Sequence, residues 1–167
     1  MKITLVMAMT VDGKIARHHT HYPDWTGKAD KRMFKQLTRN AGVIIMGSRT
    51  YATIGKPLPE RLNWVMTRRP QHFSAAQNLV FSDDPPEAIV GRLAERGYSQ
   101  AALTGGATIN TLFARAGLIH EMVLTVTPRL FGQGLSLFAE PLEMDLELLD
   151  RRELDPGTLV LHYRCRF

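Results

Sequence analysis

The sequence lacks several features that would place it in a specialised class of protein. Its 167 residues include one cysteine, Cys165, so the chain cannot form an internal disulfide, and a reducing compartment fits this composition. No apolar stretch approaches the roughly 20 residues that a membrane-spanning helix needs. The segment after Met1 is strand-like and reaches Asp12 too soon for a signal peptide. We therefore expect a cytoplasmic protein with no membrane partner.

Long basic runs are also missing, although the chain carries a surplus of positive charge. The formal net charge is +5, from 21 Lys and Arg against 16 Asp and Glu. Arginines are adjacent only at 68–69 and 151–152, whereas nucleic-acid-binding proteins cluster their basic residues. The surplus therefore favours a small anionic ligand over nucleic acid.

Motifs for several kinds of chemistry are absent as well. His18, His19 and His21 lie close together, but no Cys or carboxylate stands at a spacing typical of a metal site, so we expect no bound metal. No serine lies in a nucleophile-elbow pattern, which argues against a hydrolase. The dinucleotide-binding pattern G-x-G-x-x-G is missing too, because the residues around the glycine pair, 104–109, read TGGATI.

Apolar runs and turn residues predict a single α/β domain over residues 1–167. Strands alternate with helices, which indicates a mostly parallel sheet covered on both faces. Turn residues at 155–157 predict an antiparallel hairpin at the end of the chain. Polar residues 16–28 predict a long functional loop. Asp83 or Asp84 is the expected cap of the helix that begins at Pro85, and Thr108 is the expected cap of the helix after the glycine pair. The predicted strands are 3–9, 43–46, 62–67, 79–81, 101–103, 122–127, 146–153 and 159–166, and the predicted helices are 29–41, 47–54, 85–96 and one from 108.

Asp30 is the most informative single residue. In a helix, residues 30, 34, 37 and 41 share one face, so this acid heads a stripe formed by Phe34, Leu37 and Ala41. One interpretation is an N-terminal cap or a favourable charge in the first turn. The other is a carboxylate in an apolar pocket that binds a cationic or amidine-like heterocycle.

Hydroxyl and basic side chains follow two predicted strands, at the edge where open α/β sheets bind ligands. Such side chains suit phosphate groups. The glycine pair at 105–106 lets a backbone approach a ligand closely, just before a helix N-terminus that attracts phosphate. Each feature alone is equally compatible with a solvated surface or an ordinary strand–helix turn. The two clusters are Ser48, Arg49, Thr50 and Thr67, Arg68, Arg69.

A long run from Gly42 to Asn63, GVIIMGSRTYATIGKPLPERLN, is the most specific motif in the chain. Upstream of it, Trp25, Asp30 and Phe34 are spaced like an active-site Trp, acid and Phe, and Asp12 follows the first strand. Together these features resemble dihydrofolate reductase, over a span that reaches from residue 3 to about residue 137.

Four other segments resemble a second family more than the first. They are Val11–Ala16, Gly105–Asn110, Ala116–Glu121 and Thr127–Gly134, and they resemble the riboflavin-biosynthesis reductase, which shares this fold and uses NADPH too. Arg61 favours folate, because the matching Arg of dihydrofolate reductases grips the carboxylate of the glutamate tail. The segment 52–57 also departs from the Ala-Asp-Asp-Pro-like sequence usual in the riboflavin type.

The resemblance implies a three-layer sandwich of the dihydrofolate-reductase type and a role for each matching residue. Asp30 would hold the amidine edge of a pterin and promote its protonation, with Trp25 nearby and Thr125 hydrogen-bonded to the same carboxylate. The implied substrate contacts are Met7, Ala8, Phe34, Ile54 and Arg61. NADPH is the implied cofactor, and its implied contacts are Ala8, Ile15, Gly47, Ser48, Arg49, Thr50, Thr67, Arg68, Arg69, Gly105, Gly106, Ala107 and Thr108.

Three functions stay open at the level of sequence. The leading hypothesis is NADPH-dependent reduction of dihydrofolate to tetrahydrofolate, in one-carbon metabolism. The alternative is reduction of a 5-amino-6-ribosylamino-pyrimidine phosphate in riboflavin synthesis. The third is a nucleotide-binding regulatory module without reductase activity, and Asp30 argues against it, because binding alone gains nothing from a carboxylate on an apolar stripe. The riboflavin-type likeness also allows a homodimer with residues 117–137 at its interface.

Overall fold

An eight-stranded sheet forms the centre of the protein in the computed structural model, which describes residues 1–166. The strands are β1 (Lys2–Thr10), β2 (Lys14–Ala16), β3 (Val43–Gly47), β4 (Leu62–Met66), β5 (Leu79–Ser82), β6 (Gln100–Leu103), β7 (Glu121–Thr127), β8 (Leu135–Ser136), β9 (Asp145–Asp155) and β10 (Thr158–Arg166). The helices are α1 (Gly27–Ala41), α2 (Ser48–Ile54), α3 (Pro86–Glu95) and α4 (Ala107–Arg115), with a short 3₁₀ helix at Pro70–His72.

The sheet is parallel except at one edge. Its strand order is β5-β4-β3-β6-β1-β7-β10-β9, and the first six strands pair in parallel. β10 runs antiparallel to both β7 and β9, as the hairpin sequence predicts. Every residue of β3 and β4 is buried, which fits strands whose two faces are both covered. The predicted sheet architecture is confirmed.

Helices cover the two faces of the sheet and so create three layers. On one face, Ile89 and Leu93 of α3 and Phe113 of α4 join a core around Trp64. On the other face, α1 and α2 pack against a separate core that includes Ile44, Met46 and Val65. The apolar stripe predicted for α1 faces this second side of the sheet. None of the helices within residues 1–166 is long and apolar enough to cross a membrane.

Two predicted helix caps are wrong. Pro85 precedes α3 in an extended conformation with no capping side chain, and Asp84 instead forms a 2.8 Å ion pair with Arg92. The prolines at 85 and 86 carry no backbone N–H, so the start of α3 has fewer donors that need a cap. Thr108 lies inside α4, because the residue before that helix is Gly106. The short strands β2 and β8, which pair with each other, were not predicted.

Candidate active site

A cavity of about 1400 Å³ opens at the carboxyl ends of the parallel strands. Gly47, Met66 and Ser82, the last residues of β3, β4 and β5, line it, and so does Thr104, which directly follows β6. This is the edge at which open α/β sheets bind their ligands. The two ends of the cavity differ in chemistry, and they are named here the carboxylate end, at the start of α1, and the arginine end, beside α2 and the segment after β4.

Asp30 is the only acid that lines the carboxylate end. Thr26, not Asp30, is the residue that precedes α1, so Asp30 is not its cap, but it is the acidic residue of the first turn, as the same interpretation allowed. The side chain lies in the first turn, is only 8% exposed and lines the cavity. Within residues 1–166 its carboxylate accepts no hydrogen bond and forms no ion pair. Thr125 is also buried and lines the cavity, but the expected hydrogen bond between it and Asp30 is not formed.

Trp25 supplies an unpaired polar atom at the same end. Its ring is 6% exposed and lines the cavity, and its indole Nε1 has no partner among the described residues. The ring packs edge-on against Phe131, with 5.1 Å between centroids. Buried donors without partners are rare in native proteins, so this N–H fits a site completed by a ligand or an ordered water.

Asp12 anchors the loop that supports Trp25. The Thr10 hydroxyl donates to its carboxylate at 2.5 Å, and the backbone N–H groups of Phe131 and Gly132 donate at 3.2 and 2.8 Å. The hydrogen bond from Thr10, followed by those of the backbone, lowers the pKa of Asp12 below its ordinary value. Asp12 therefore stays ionised and holds Phe131 against the Trp25 ring.

The carboxyl ends of β3 and β6 lie against each other at the place where the carboxylate end of the cavity joins the arginine end. The N–H of Gly47 donates to the carbonyl of Gly105 at 2.7 Å, and a Cβ at Gly47 would lie 2.9 Å from Ile109. Gly105 has φ +89°, and a Cβ there would lie 3.2 Å from Met7. Glycine is therefore required at both positions. No side chain caps α4, whose first residues line the cavity, so its free backbone N–H groups suit a phosphate of a dinucleotide.

The arginine end presents exposed cations to the cavity. Arg49, Arg68 and Arg69 line it, and none of them is in an ion pair with the described residues. The guanidinium of Arg49 lies 3.3 Å from a ring nitrogen of His19. Both acids that the sequence analysis considered as helix caps, Asp83 and Asp84, also line this end, and Asp84 is paired with Arg92. Free guanidinium groups and hydroxyls suit phosphate groups in general, and the unpaired Asp83 opposes such an anion in part.

The cavity brings together all but two of the predicted site residues. Gly105 and Arg61 do not line it. The residues that do are Met7, Ala8, Ile15, Trp25, Asp30, Phe34, Gly47, Ser48, Arg49, Thr50, Ile54, Thr67, Arg68, Arg69, Gly106, Ala107, Thr108 and Thr125.

Arg61 points away from the cavity, although it was expected to grip a substrate carboxylate. The side chain is 6% exposed, and its Nε donates to the carbonyl of Pro59 at 2.9 Å. Its guanidinium also donates to the hydroxyl of Thr38 on α1. Burial, and then the nearby charge of Arg39, lower the pKa of Arg61. In this structure Arg61 ties the proline-rich loop to α1, and it does not line the cavity.

The sequence did not predict that the loop before α1, residues 16–28, turns toward the cavity. His18, His19 and His21 all line the cavity. The backbone N–H of Arg17 donates to His21 at 3.0 Å, and the Arg17 guanidinium lies 4.2 Å from the centre of the Phe131 ring. Burial, followed by the charges of Arg17 and His18, lowers the pKa of His21 and so favours the neutral form of its ring. The length and polarity of residues 16–28 indicated a functional loop, but nothing in them gave its position.

The strand order and the three layers define a fold of the dihydrofolate-reductase type, and the cavity joins a buried carboxylate to a cation-rich end. Residues 1–160 match the protein family described as RibD C-terminal domain. The chain belongs to the RibD C-terminal domain family.

Three similar proteins are compared here, two by sequence identity and one by its fold. The chain is 36% identical over 168 residues to the dihydrofolate reductase of Haemophilus influenzae, covering 100% of this chain and 96% of that one. It is 26% identical over 148 residues to the uncharacterized protein YwjB of Bacillus subtilis, covering 83% of each. The Thermotoga maritima diaminohydroxyphosphoribosylaminopyrimidine deaminase/5-amino-6-(5-phosphoribosylamino)uracil reductase superposes with a TM-score of 0.80 at 15% identity. That match covers 99% of this chain and 56% of the Thermotoga protein, and it shows the fold alone.

Proposed function

We propose that this protein is an NADPH-dependent reductase that acts on a pyrimidine of the kind reduced in riboflavin synthesis. One observation carries the proposal: a single cavity joins a buried carboxylate without a partner, Asp30, to a row of exposed arginines. A buried carboxylate without a partner is costly, and a ligand with N–H donors would complete it.

The residues at the carboxylate end suit a flat nitrogen heterocycle. The two oxygens of Asp30 can accept hydrogen bonds from an N–C–N edge, while Phe34 and Ile54 supply apolar walls. The indole N–H of Trp25 can donate to an oxygen of the ring or to a water beside it. Asp30 also provides an acid–base group beside the bound heterocycle, where the ribosylamino carbon of the sugar accepts the hydride and a proton must be supplied.

The arginine end suits the phosphates of NADPH, with Arg49, Arg68 and Arg69 as donors and Gly106 at the start of α4. When bound, NADPH supplies the hydride. The protein holds the two rings together, excludes water from the buried end and moves a proton through Asp30.

Two observations favour the pyrimidine over dihydrofolate, which reverses the order expected from the sequence. The family match spans residues 1–160, and Arg61, the residue expected to hold the glutamate tail, is turned into the protein. A ribosylamino-pyrimidine phosphate has no such tail, so it does not need this residue.

Dihydrofolate is the second candidate. The 36% identity to the dihydrofolate reductase of Haemophilus influenzae extends over the whole chain. Asp30, Phe34 and Ile54, the residues expected to contact a pterin, all line the cavity. Reduction of dihydrofolate would then require the tail to bind without Arg61.

Oxidation of NADPH with each substrate offered separately tests these candidates. We expect turnover with 5-amino-6-(5-phosphoribosylamino)uracil and slower turnover or none with dihydrofolate. A preference for dihydrofolate would make the second candidate correct. Binding of NADPH without oxidation by either substrate would contradict the reductase proposal and favour a regulatory module.

We further propose that the protein acts in the cytoplasm as a single domain on small molecules. A homodimer through residues 117–137 stays a prediction, and sedimentation equilibrium of the purified protein tests it.

A further inference from the structure

An exposed aromatic ring stands at the arginine end of the cavity and has no part in the function proposed above. Phe73 is 40% exposed and lines the cavity. It directly follows the 3₁₀ helix at Pro70–His72, and its N–H donates to the carbonyl of Pro70 at 3.1 Å. The tight turn fixes the backbone from which the ring projects.

Neighbouring aromatic rings hold the Phe73 ring in a fixed orientation. It stacks on Phe81 of β5, with 4.5 Å between centroids and 12° between planes. Phe81 in turn packs edge-on against Tyr51 of α2, with 5.4 Å between centroids. One face of Phe73 is thus covered by a ring that the sheet and α2 fix in place. The exposed part of the side chain presents an aromatic surface at the cavity.

Cations stand on the same stretch of chain. Arg68 and Arg69 precede the 3₁₀ helix, and both are exposed and line the same end of the cavity as Phe73. A fixed aromatic surface beside unpaired guanidinium groups is suited to a planar base that carries a phosphorylated sugar.

We propose that Phe73 is the platform on which the adenine ring of the cofactor stacks, beside Arg68 and Arg69, to which the proposed function already assigns the cofactor phosphates. Phe73 is then a residue that selects dinucleotides over mononucleotides. The inference rests on the proposed function for the identity of the ligand, NADPH. The ring and the cations indicate the coarser chemical class, a planar base on a phosphorylated sugar.

Binding of adenosine 2′,5′-bisphosphate by isothermal titration calorimetry tests the platform without any reductase activity. We expect Phe73→Ala to weaken binding about 10- to 100-fold, the range for losing one base–aromatic stack. Phe73→Tyr should bind as the wild type does, and Phe73→Leu, which keeps apolar bulk but no π face, should lose most of the affinity. Gln71→Ala is the matched control, because Gln71 is exposed in the same turn but does not line the cavity. Equal affinity of wild type and Phe73→Ala, or full affinity of Phe73→Leu, would overturn the proposal.

A second measurement separates this inference from the proposed function. Reduced nicotinamide mononucleotide lacks the adenosine half, so Phe73→Ala should raise the KM for NADPH about 10- to 100-fold and leave that for the mononucleotide unchanged. An equal rise for both cofactors would overturn the platform. A protein that reduces no substrate but loses bisphosphate affinity in Phe73→Ala would contradict the proposed function and support the platform.

Discussion

The two ends of the cavity use charge in opposite ways. At the carboxylate end one charge, Asp30, is buried among apolar and aromatic side chains and has no partner. At the arginine end Arg68 and Arg69 lie in solvent, where water and salt weaken their interactions. A buried charge interacts strongly with the one ligand group that contacts it. Exposed charges attract an anion more weakly, because water and salt screen the interaction. We therefore expect chemistry to depend on the first end and cofactor preference on the second.

The largest expected effect comes from removing the buried charge. Asp30→Asn should lower turnover by roughly 10²–10⁴-fold, because a positioned acid–base group is lost. Stability should change little, because the loss of a favourable charge in the first turn of α1 is offset by removal of a buried carboxylate without a partner. Steady-state kinetics and thermal unfolding measure the two quantities, and Asp24→Asn, an exposed acid outside the cavity, is the matched control. Near-normal turnover of Asp30→Asn would mean that both ends serve binding alone.

The next effect concerns the exposed cations. The wild type should bind NADPH more tightly than NADH by about 2 kcal/mol or more, the scale of one or two hydrogen bonds to a charged group. The double variant Arg68→Ala/Arg69→Ala should lose most of that difference and leave NADH binding unchanged. Quenching of tryptophan fluorescence gives both dissociation constants.

The other adjacent arginine pair provides the control for this variant. Arg151→Ala/Arg152→Ala removes the same charge from β9, outside the cavity, and should keep the preference for NADPH. Similar affinities of the wild type for NADPH and NADH would show that the arginine end does not select the cofactor.

Arg61 tests whether a buried cation outside the cavity contributes only to stability. Arg61→Ala removes the donor to the Pro59 carbonyl and to the Thr38 hydroxyl, so the free energy of unfolding should fall by about 1–3 kcal/mol. The KM for every substrate should stay unchanged. If the KM rises about tenfold for dihydrofolate but not for a pterin without the glutamate tail, Arg61 is a tail clamp and dihydrofolate becomes the leading candidate.

The smallest effect is expected from the unpaired acid at the arginine end. Asp83→Asn removes a negative charge that lines the cavity with Arg68 and Arg69. NADPH binding should become about 2- to 5-fold tighter at low salt, a size typical of exposed charges, and the gain should vanish in high salt. Weaker binding in this variant would instead show that Asp83 accepts a hydrogen bond from the cofactor.

The features that could be predicted from the sequence are those fixed by local pattern. Val43–Gly47 and Leu62–Met66 are continuous apolar runs, and both are fully buried parallel strands. Asp30 lies at the head of an apolar stripe with helical spacing, and it is the buried acid of the cavity. In each case neighbouring residues carry the information, because burial on one face or on both leaves a periodic signal.

The features that could not be predicted depend on contacts between distant segments. Arg61 turns inward because Thr38, 23 residues away, offers it a buried hydroxyl. Phe73 faces the cavity because a 3₁₀ turn and the distant Phe81 orient its ring. β2 and β8 contain only three and two residues, so they show no periodicity at all.

The hydrogen bonds of Asp12 have a consequence for how the molecule folds. They join the turn after β1 to backbone groups about 120 residues later, whereas Arg49, Arg68 and Phe73 belong to a continuous stretch of chain. Contacts of such long sequence separation form slowly, because a large loop must close before they stabilise anything. We therefore expect the wall beside Trp25 to become ordered late in folding, after the part of the sheet that carries the arginines.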